Sequence, residues 1–311
     1  MMLTHPLVSV VIPSLSQSRY LREAIASAVS RDFPTEVVVV TGGLIDEPID
    51  VSEAQRDISW VRQSHTSLAA ARNRGLAAAS GEFVIFLDAD DRLLPGAIDA
   101  AARALRARPA SAMAYGRCVT MGPDGTIRPT TELPAVRSGH HAAFLRTNLI
   151  GTPAMAILRR GPLDEAQGFS AEFDAAADYD LYLRLASRYE IHDHGQVVAA
   201  HRQHARPPSV SASQRLRDTL AVMRRNRPQD PQLEIAWREG FHNWQEFYGA
   251  FLVEEISAHL HAHEGARALQ KAITLGRLAP HVFGRELGER ARLALQPRLA
   301  PIGAAIRERR R

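Results

Sequence analysis

Cysteine is almost absent from this sequence of 311 residues, which contains only Cys118. A single thiol cannot form an internal disulfide, so the composition gives no indication of an oxidising compartment. The sequence also has no run of about 18 apolar residues, so we expect no membrane-spanning helix. Its first residues lack the basic and apolar regions of a signal peptide. Together these absences favour a soluble, cytoplasmic protein.

Two classes of protein are disfavoured by motifs that the sequence lacks. No Gly-x-Gly-x-x-Gly follows the first apolar segment, which argues against a dinucleotide-dependent oxidoreductase. Zinc-ligand spacing, an aromatic-studded basic sheet and a helix-turn-helix pattern are missing as well. We therefore expect no nucleic-acid partner.

Charge is unevenly distributed along the chain. The net charge is +4, yet the segment from Arg285 to Arg311 carries eight arginines against three glutamates. A basic tail of this kind can make a peripheral contact with anionic lipid at the inner face of a membrane. It can equally be the solvated end of a helix. The sequence leaves both alternatives open.

The segment from Ala69 to Asp91 predicts a helix, a tight turn, a buried strand and a cluster of carboxylates, in that order. Phe83–Leu87 is an uninterrupted apolar run, as expected of a strand covered on both faces. Asp88, Asp90 and Asp91 follow at the strand end where open α/β sheets bind ligands. A divalent cation would relieve the repulsion between these carboxylates. A solvated acidic turn is the alternative.

Strand and helix patterns alternate in the first two thirds of the chain. Apolar runs at 7–12 and 37–40 and the segment at 58–63 predict strands, and helical patterns follow the first and the third. We therefore predict an α/β fold with a mostly parallel sheet and helices on both faces for residues 1–212. Residues 213–311 are predicted to form a helical C-terminal appendage. Its aromatic residues recur at helical spacing and predict a packing seam: Trp237, Phe241, Trp244, Tyr248 and Phe251.

The segment Ala71–Ile98, ARNRGLAAASGEFVIFLDADDRLLPGAI, resembles the central signature of family 2 glycosyltransferases. The resemblance extends from Val8 to Ser211. It implies the GT-A fold for the catalytic domain at 1–212, and a nucleotide-sugar donor. It also implies Mn²⁺ or Mg²⁺ held at the Asp-x-Asp, and inversion at the sugar carbon.

The resemblance also assigns residues to the donor by their position. In the family, the turn after the first strand contacts the base, and the Ala-Arg-Asn stretch reaches the diphosphate or the base. The donor-binding residues predicted in this way are Pro13, Ser14, Thr41, Arg72, Asn73 and Asp88. Thr41 and Gly42 stand where the family usually has two adjacent carboxylates, so the donor nucleotide is left open. An exposed helical arginine and a satisfied asparagine are the alternative at positions 72 and 73.

Metal binding is assigned to the acidic cluster and to a distant histidine. The resemblance implies that Asp90 takes the metal with Asp91 in support. His204 would face the metal and the diphosphate, and His201 is the weaker of the two histidine candidates. Histidines that are simply part of the surface or the core are the alternative, since imidazole serves all of these roles.

Asp178 matches the position of the family's catalytic carboxylate. The glutamate that usually precedes it is Ala177 here. Asp178 would accept the proton of an attacking hydroxyl, provided that the two groups come within hydrogen-bond reach. The alternative is an aspartate at a helix N-terminus, stabilised there by the helix dipole.

The predicted function is that of a metal-dependent, inverting glycosyltransferase. It would move a sugar from a nucleotide-diphosphate donor to a hydroxyl of a saccharide or lipid-linked acceptor, in the synthesis of cell-surface polysaccharide or glycoconjugates. A non-catalytic member of the same fold, which binds a nucleotide or a partner, is the alternative. The missing carboxylates at Thr41, Gly42 and Ala177 are the reason to keep it.

Overall fold

The computed structural model of the chain describes residues 8–15, 19–28, 30, 32–42, 58–64, 67–128, 135–203 and 210–286. Its strands are β1 (Val8–Ser14), β2 (Thr35–Gly42), β3 (Ile58–Gln63), β4 (Phe83–Phe86), β5 (Arg92–Leu93), β6 (Ser111–Met121), β7 (Ile127–Arg128), β8 (Ala156–Arg159) and β9 (Glu190–Arg202). Its helices are α1 (Leu21–Ser27), α2 (Leu68–Ala78), α3 (Ala97–Arg106), α4 (His140–Arg146), α5 (Arg160–Glu165), α6 (Ala177–Ala186), α7 (Ala212–Arg225), α8 (Pro231–His261) and α9 (Gly265–Leu278). Short 3₁₀ turns at Pro153–Met155 and Ala171–Ala176 precede β8 and α6.

The described strands form one sheet in the order β3-β2-β1-β4-β8-β6-β9-β5, with β7 paired to β6. Strands β3, β2, β1 and β4 are parallel to one another, whereas β8 is antiparallel to both of its neighbours. The longest ladder joins β6 to β9 and is parallel. Most paired residues therefore lie in parallel ladders, and the predicted α/β fold with a mostly parallel sheet is confirmed.

The parallel half of the sheet is packed tightly against helix α2. Strands β1 and β4 are buried along their whole length, as their apolar sequences predict. On α2, a Cβ at Gly75 would lie 2.3 Å from Val11 Cγ1 and 2.9 Å from Val40 Cγ2. Only glycine allows the helix to come this close to the strands. This close contact sets the distance between α2 and the sheet. Because Arg72 lies one turn before Gly75 on the same helix, the contact also sets the position of Arg72 relative to the sheet.

The C-terminal helices share a core with the sheet. Val222 and Met223 of α7 and Ala236 of α8 belong to the same buried cluster as the strands. The Trp237 indole donates a 2.6 Å hydrogen bond to the Met223 carbonyl. Helix α7 begins at the predicted boundary between 212 and 213, but this shared core ties the two parts together. The two-domain division therefore stays a prediction.

The predicted aromatic seam on α8 is correct for its first part. Trp237, Phe241 and Trp244 pack against the main core, and Tyr248 packs on a smaller cluster formed by α7, α8 and α9. Phe251 is instead 45% exposed, so the seam ends before it.

Most of the predicted basic tail, residues 287–311, lies outside the described residues. None of the helices that the structure describes combines the length and the apolar character needed to span a bilayer.

Helix α8 lies directly against the end of α4. We therefore expect that adding one methyl group to α8 at this contact lowers the stability of the protein strongly. A Cβ at Gly240 would lie 1.8 Å from the Leu145 carbonyl oxygen. We expect Gly240→Ala to destabilise the protein by about 3 kcal/mol, because the backbone itself must move. Urea unfolding of the purified variant measures this change.

Gly276→Ala is the matched control within a helix. Its Cβ would meet Phe283 at an ordinary 3.5 Å. Helix propensity then favours alanine by about 1 kcal/mol. Equal stabilities for the two variants would show that α8 and α4 do not meet as described.

Candidate active site

The ends of three parallel strands bring the predicted donor-binding residues to one edge of the sheet. Ser14 pairs with Thr41, and Val11 pairs with Phe86, so that Asp88 emerges beside the end of β1. Ser14 is 2% exposed and Thr41 is 4% exposed, and Pro13 is buried as well. These three residues therefore lie beneath this edge, and their contact with a donor stays a prediction.

Arg72 and Asp88 form a buried ion pair at the centre of this edge. Arg72 Nη2 lies 2.8 Å from Asp88 Oδ1, with the two side chains 5% and 27% exposed. The guanidinium also lies over the Phe169 ring, 5.4 Å from its centroid. Burial works to lower the pKa of Arg72, yet the charges of Asp88 and Asp178 outweigh it and raise that pKa. The alternative of an exposed helical arginine is wrong, because Arg72 is only 4% exposed and is paired with Asp88.

Asn73 positions the ring beneath Arg72. Its amide donates to the Phe169 carbonyl at 2.7 Å and accepts from the Phe169 N–H at 2.8 Å. The Asn73 side chain thus uses its NH₂ group and its oxygen to bond the backbone of the same residue, and these two hydrogen bonds hold Phe169 in place. The geometry therefore favours the satisfied-asparagine alternative over the predicted direct contact with the donor.

Asp91 is the buried anchor of the acidic cluster. It is 1% exposed and accepts from Thr152 Oγ1 at 2.6 Å and from the Arg202 N–H at 2.9 Å. Its oxygens also lie 3.1 Å from His201 Nδ1. With both oxygens engaged in this way, the geometry favours the supporting role for Asp91 over direct coordination of a metal.

His201 is the histidine that the structure joins to the acidic cluster. Its hydrogen bond to Asp91 raises the pKa of the imidazole, and the charges of Asp91, Asp88 and Asp90 add to this effect against burial. The side chain is 46% exposed, and a ligand would be bound through Nε2 because Nδ1 faces Asp91. His204, the histidine favoured from the sequence, lies outside the described residues.

Arg202 is a site residue that the sequence did not reveal. It is 2% exposed, and its Nε donates to the Asp90 carbonyl at 2.8 Å. The same guanidinium pairs with Glu23 at 2.5 Å and lies 3.9 Å from the centroid of the Tyr20 ring. It thereby holds the backbone of the acidic turn to α1. No local pattern marks such a residue, because its partners lie far away in the chain.

Asp178 lies in the first turn of α6, as predicted. One carboxylate oxygen accepts from the Tyr179 N–H at 2.8 Å, and the side chain is partly buried. Burial raises the pKa of this carboxyl, the Arg72 guanidinium opposes that rise, and Asp88 adds to it. Asp178 therefore holds a proton more readily than an ordinary aspartate.

Asp178 and His201 line one cavity of about 900 Å³. Its other walls come from the segment after α4, from α7 and from α8. The cavity extends from His201, which is held by Asp91, to the C-terminal helices. A cavity of this size has room for a small-molecule ligand beside Asp178.

Asp90, which follows β4, and His201, near the end of β9, lie at what we call the strand tips, and their side chains suit a hard divalent cation. Mn²⁺ can bind both the carboxylate oxygen of Asp90 and the imidazole nitrogen of His201. Mg²⁺ prefers oxygen ligands, so it would bind mainly the Asp90 carboxylate. A histidine whose second nitrogen is held by a carboxylate, as Asp91 holds His201, is the usual arrangement of a metal ligand.

The strand tips alone do not assemble a complete set of metal ligands. Within the described residues, the group of three histidine or carboxylate side chains whose ligand atoms lie within 4.8 Å of one another is His242, Glu246 and His281, away from this edge. Diphosphate oxygens would therefore have to supply part of the coordination at the tips.

The fold and the acidic strand tip together define the GT-A class of glycosyltransferases. Residues 9–166 match the model of glycosyl transferase family 2, and the chain belongs to that family. The membership predicted from the sequence is therefore confirmed.

Two curated relatives illustrate how far the likeness extends. Glycosyltransferase GlyA of Streptococcus pneumoniae is 34% identical over 95 residues, which cover 29% of this chain and 14% of GlyA. Chondroitin synthase of Pasteurella multocida is 23% identical over 192 residues, which cover 58% of this chain and 19% of the synthase. The chain thus matches less than a fifth of the length of either relative.

Two solved structures have the same fold over most of their length. Staphylococcus aureus TarS 1–349 in complex with UDP-GlcNAc has a TM-score of 0.55 at 16% identity, covering 87% of this chain and 91% of that chain. The mannosyltransferase PcManGT from Pyrobaculum calidifontis, in complex with GDP-Man and Mn²⁺, has a TM-score of 0.55 at 19% identity. That match covers 94% of this chain and 81% of PcManGT.

The different burial of neighbouring aspartates predicts different effects of the same substitution. Asp91→Asn leaves one acceptor oxygen for three donors, so we expect it to destabilise the protein by about 2 kcal/mol. Asp90→Asn should cost less stability, because Asp90 is only partly buried. Thermal unfolding of both variants measures the difference. An Asp91→Asn variant as stable as the unaltered protein would contradict the anchoring role.

Proposed function

We propose that the chain is a metal-dependent glycosyltransferase that moves a sugar from a nucleotide-diphosphate donor to an acceptor hydroxyl with inversion. One observation carries the proposal: Asp178 and the Asp91-held His201 line the same cavity, at the edge where Arg72 and Asp88 lie. The proposed base and a proposed metal ligand thus line one cavity. The bound UDP-GlcNAc and GDP-Man of the structural neighbours support a donor of this class.

Asp90 and His201 would hold the divalent metal, with Asp91 orienting the imidazole. His204, outside the described residues, stays a further candidate ligand. When bound, the metal supplies Lewis-acid neutralisation of the leaving diphosphate. Mn²⁺ is favoured by an imidazole ligand and by the Mn²⁺ of the mannosyltransferase neighbour, and Mg²⁺ is the second choice.

Arg72 contributes positive charge close to the donor. Its ion pair with Asp88 keeps the guanidinium at the strand tip, within the field of the Asp178 carboxylate as well. Asp88 would bind the ribose, and Arg72 would attract the diphosphate, since a guanidinium matches phosphate geometry. Thr41, Ser14 and Pro13 would shape the base-binding edge from below.

Asp178 would act as the general base. It accepts the proton of the acceptor hydroxyl as that oxygen attacks the sugar carbon from the face opposite the diphosphate. Burial raises the pKa of this carboxyl, which makes the carboxylate a stronger base. A single displacement of this kind inverts the configuration at the sugar carbon.

Synthesis of a polysaccharide or glycoconjugate is the process that we propose for this activity. Chondroitin synthase and hyaluronan synthase of Pasteurella multocida are among the relatives, as is a poly(ribitol-phosphate) N-acetylglucosaminyltransferase of Staphylococcus aureus. A saccharide or lipid-linked acceptor is consistent with the size of the cavity.

Substituting Asp178 separates donor binding from turnover. We expect Asp178→Asn to lower kcat at least about a hundredfold, because the general base is lost. Mn²⁺ with a nucleoside diphosphate should still raise the Tm of the variant, since ligands that bind the native state stabilise it. Nucleotide release from a panel of nucleotide sugars gives kcat, and thermal-shift measurements give binding.

Asp164→Asn, an exposed aspartate on α5, is the matched control and should keep full activity. Turnover by Asp178→Asn at the rate of the unaltered protein would contradict the assignment of Asp178 as the general base. If no nucleoside diphosphate shifts the Tm with either metal, the donor proposal fails and the non-catalytic alternative gains.

A further inference from the structure

Helix α8 carries a row of aromatic rings that begins against the core and ends with rings exposed to solvent. Trp244 and Tyr248 stack at 5.6 Å between centroids, and Phe247 packs edge-on to Tyr248 at 5.0 Å. Phe251 continues the row 5.2 Å from Phe247. Phe247 and Phe251 are 53% and 45% exposed. We call these four residues the aromatic shelf.

The inner end of the aromatic shelf contacts Tyr179, the residue that follows Asp178 in the chain. Trp244 Nε1 donates to the Tyr179 hydroxyl at 3.2 Å, and the two rings meet edge-to-face at 5.5 Å. The Tyr179 N–H in turn bonds the Asp178 carboxylate. All four residues of the shelf line the cavity that contains Asp178. A ligand that reaches Asp178 from the helical side therefore lies along the shelf.

The inner half of the shelf is held rigidly. The Tyr248 ring is stacked on Trp244, and Trp244 is fixed by its hydrogen bond to the Tyr179 hydroxyl. A platform whose rotamers are already set loses little entropy when a ligand binds. Core packing accounts for these inner rings, but it does not account for the exposed Phe247 and Phe251.

The walls around the shelf are polar. Side chains with hydrogen-bonding groups line the same cavity: Arg146, Thr147, Asn148, Arg215, Asn243, Glu254 and Glu255. A pyranose ring has an apolar face of C–H groups and a rim of hydroxyls, which matches an aromatic floor with polar walls. A lipid chain would instead require apolar walls.

We propose that the aromatic shelf is the acceptor subsite, and that it binds the last sugars of an oligosaccharide with the terminal hydroxyl directed to Asp178. From Trp244 to Phe251 the helix rises about 10 Å, which is room for two sugar rings rather than one. The shelf residues position the acceptor and take no part in the chemistry. This inference rests on the proposed glycosyl transfer and names the class of acceptor.

A test of the shelf uses two exposed rings that can be removed without unfolding the protein. We expect Phe247→Ala and Phe251→Ala each to weaken binding of tetrasaccharides by about tenfold, in line with the loss of one stacking contact. Binding is measured on an array of mono-, di- and tetrasaccharides of hexoses, N-acetylhexosamines and uronic acids. The unaltered protein should prefer tetrasaccharides to monosaccharides. Donor hydrolysis, in which water replaces the acceptor, should be the same in all variants.

Leu260→Ala is the matched control, because Leu260 lies on the same helix, is 49% exposed and does not line the cavity. It should bind oligosaccharides normally.

The outcomes separate the shelf from the proposed function. Unchanged oligosaccharide binding by both phenylalanine variants overturns the shelf even if donor hydrolysis proceeds, and so does an array to which the unaltered protein does not bind. Variants that lose binding to anionic phospholipid vesicles but keep oligosaccharide binding overturn it in favour of a membrane surface. Shelf-dependent binding without any turnover of nucleotide sugars supports the subsite and contradicts the transferase proposal alone.

Discussion

The buried ion pair between Arg72 and Asp88 is the interaction on which the geometry of the site depends. A guanidinium with a 5% exposed side chain needs a compensating charge, because an uncompensated buried charge strongly destabilises a fold. Asp88 supplies that charge from the tip of β4, and Asp178 adds to it from the start of α6. The pair thus ties α2 to the sheet and sets the electrostatic environment of the proposed base. Asn73 completes the arrangement by holding Phe169 under the guanidinium.

A second set of contacts holds the acidic turn and the end of β9 together. Asp91 bonds the backbone of Arg202 and the ring of His201, while Arg202 bonds the backbone of Asp90. Neighbouring aspartates therefore have different environments, since Asp91 is buried and anchors the turn, whereas Asp90 is partly buried and is the residue that we propose as a metal ligand. The cavity that His201 and Asp178 line lies between the end of β9, the start of α6 and helices α7 and α8. The helical appendage, which the family match at 9–166 does not include, would then contribute the acceptor side of the site.

The sequence predicts those parts of the fold that local patterns encode. The apolar run at Phe83–Leu87 gave β4, helical spacing gave α2, and Asp178 was correctly placed at the start of α6. The antiparallel insertion of β8 between β4 and β6 could not be predicted in this way, since strand order depends on long-range pairing. The roles of Asn73 and Arg202 were missed for the same reason, because their partners lie about a hundred residues away. The exposure of Phe251 also escaped prediction, since helical periodicity does not show where a neighbouring helix ends.

The pH dependence of transfer tests the central claim, that Arg72 controls the charge on Asp178, the proposed base. The measurement is kcat/KM for the acceptor at saturating donor, from pH 4 to 9, in the unaltered protein and in Arg72→Gln. The base acts when deprotonated, and burial raises its pKa, so activity should fall on acidification above the ordinary aspartate value of about 4. Removing the guanidinium raises that pKa further, so the acid limb should move to higher pH in Arg72→Gln. An acid limb at the same pH in both proteins would contradict the account.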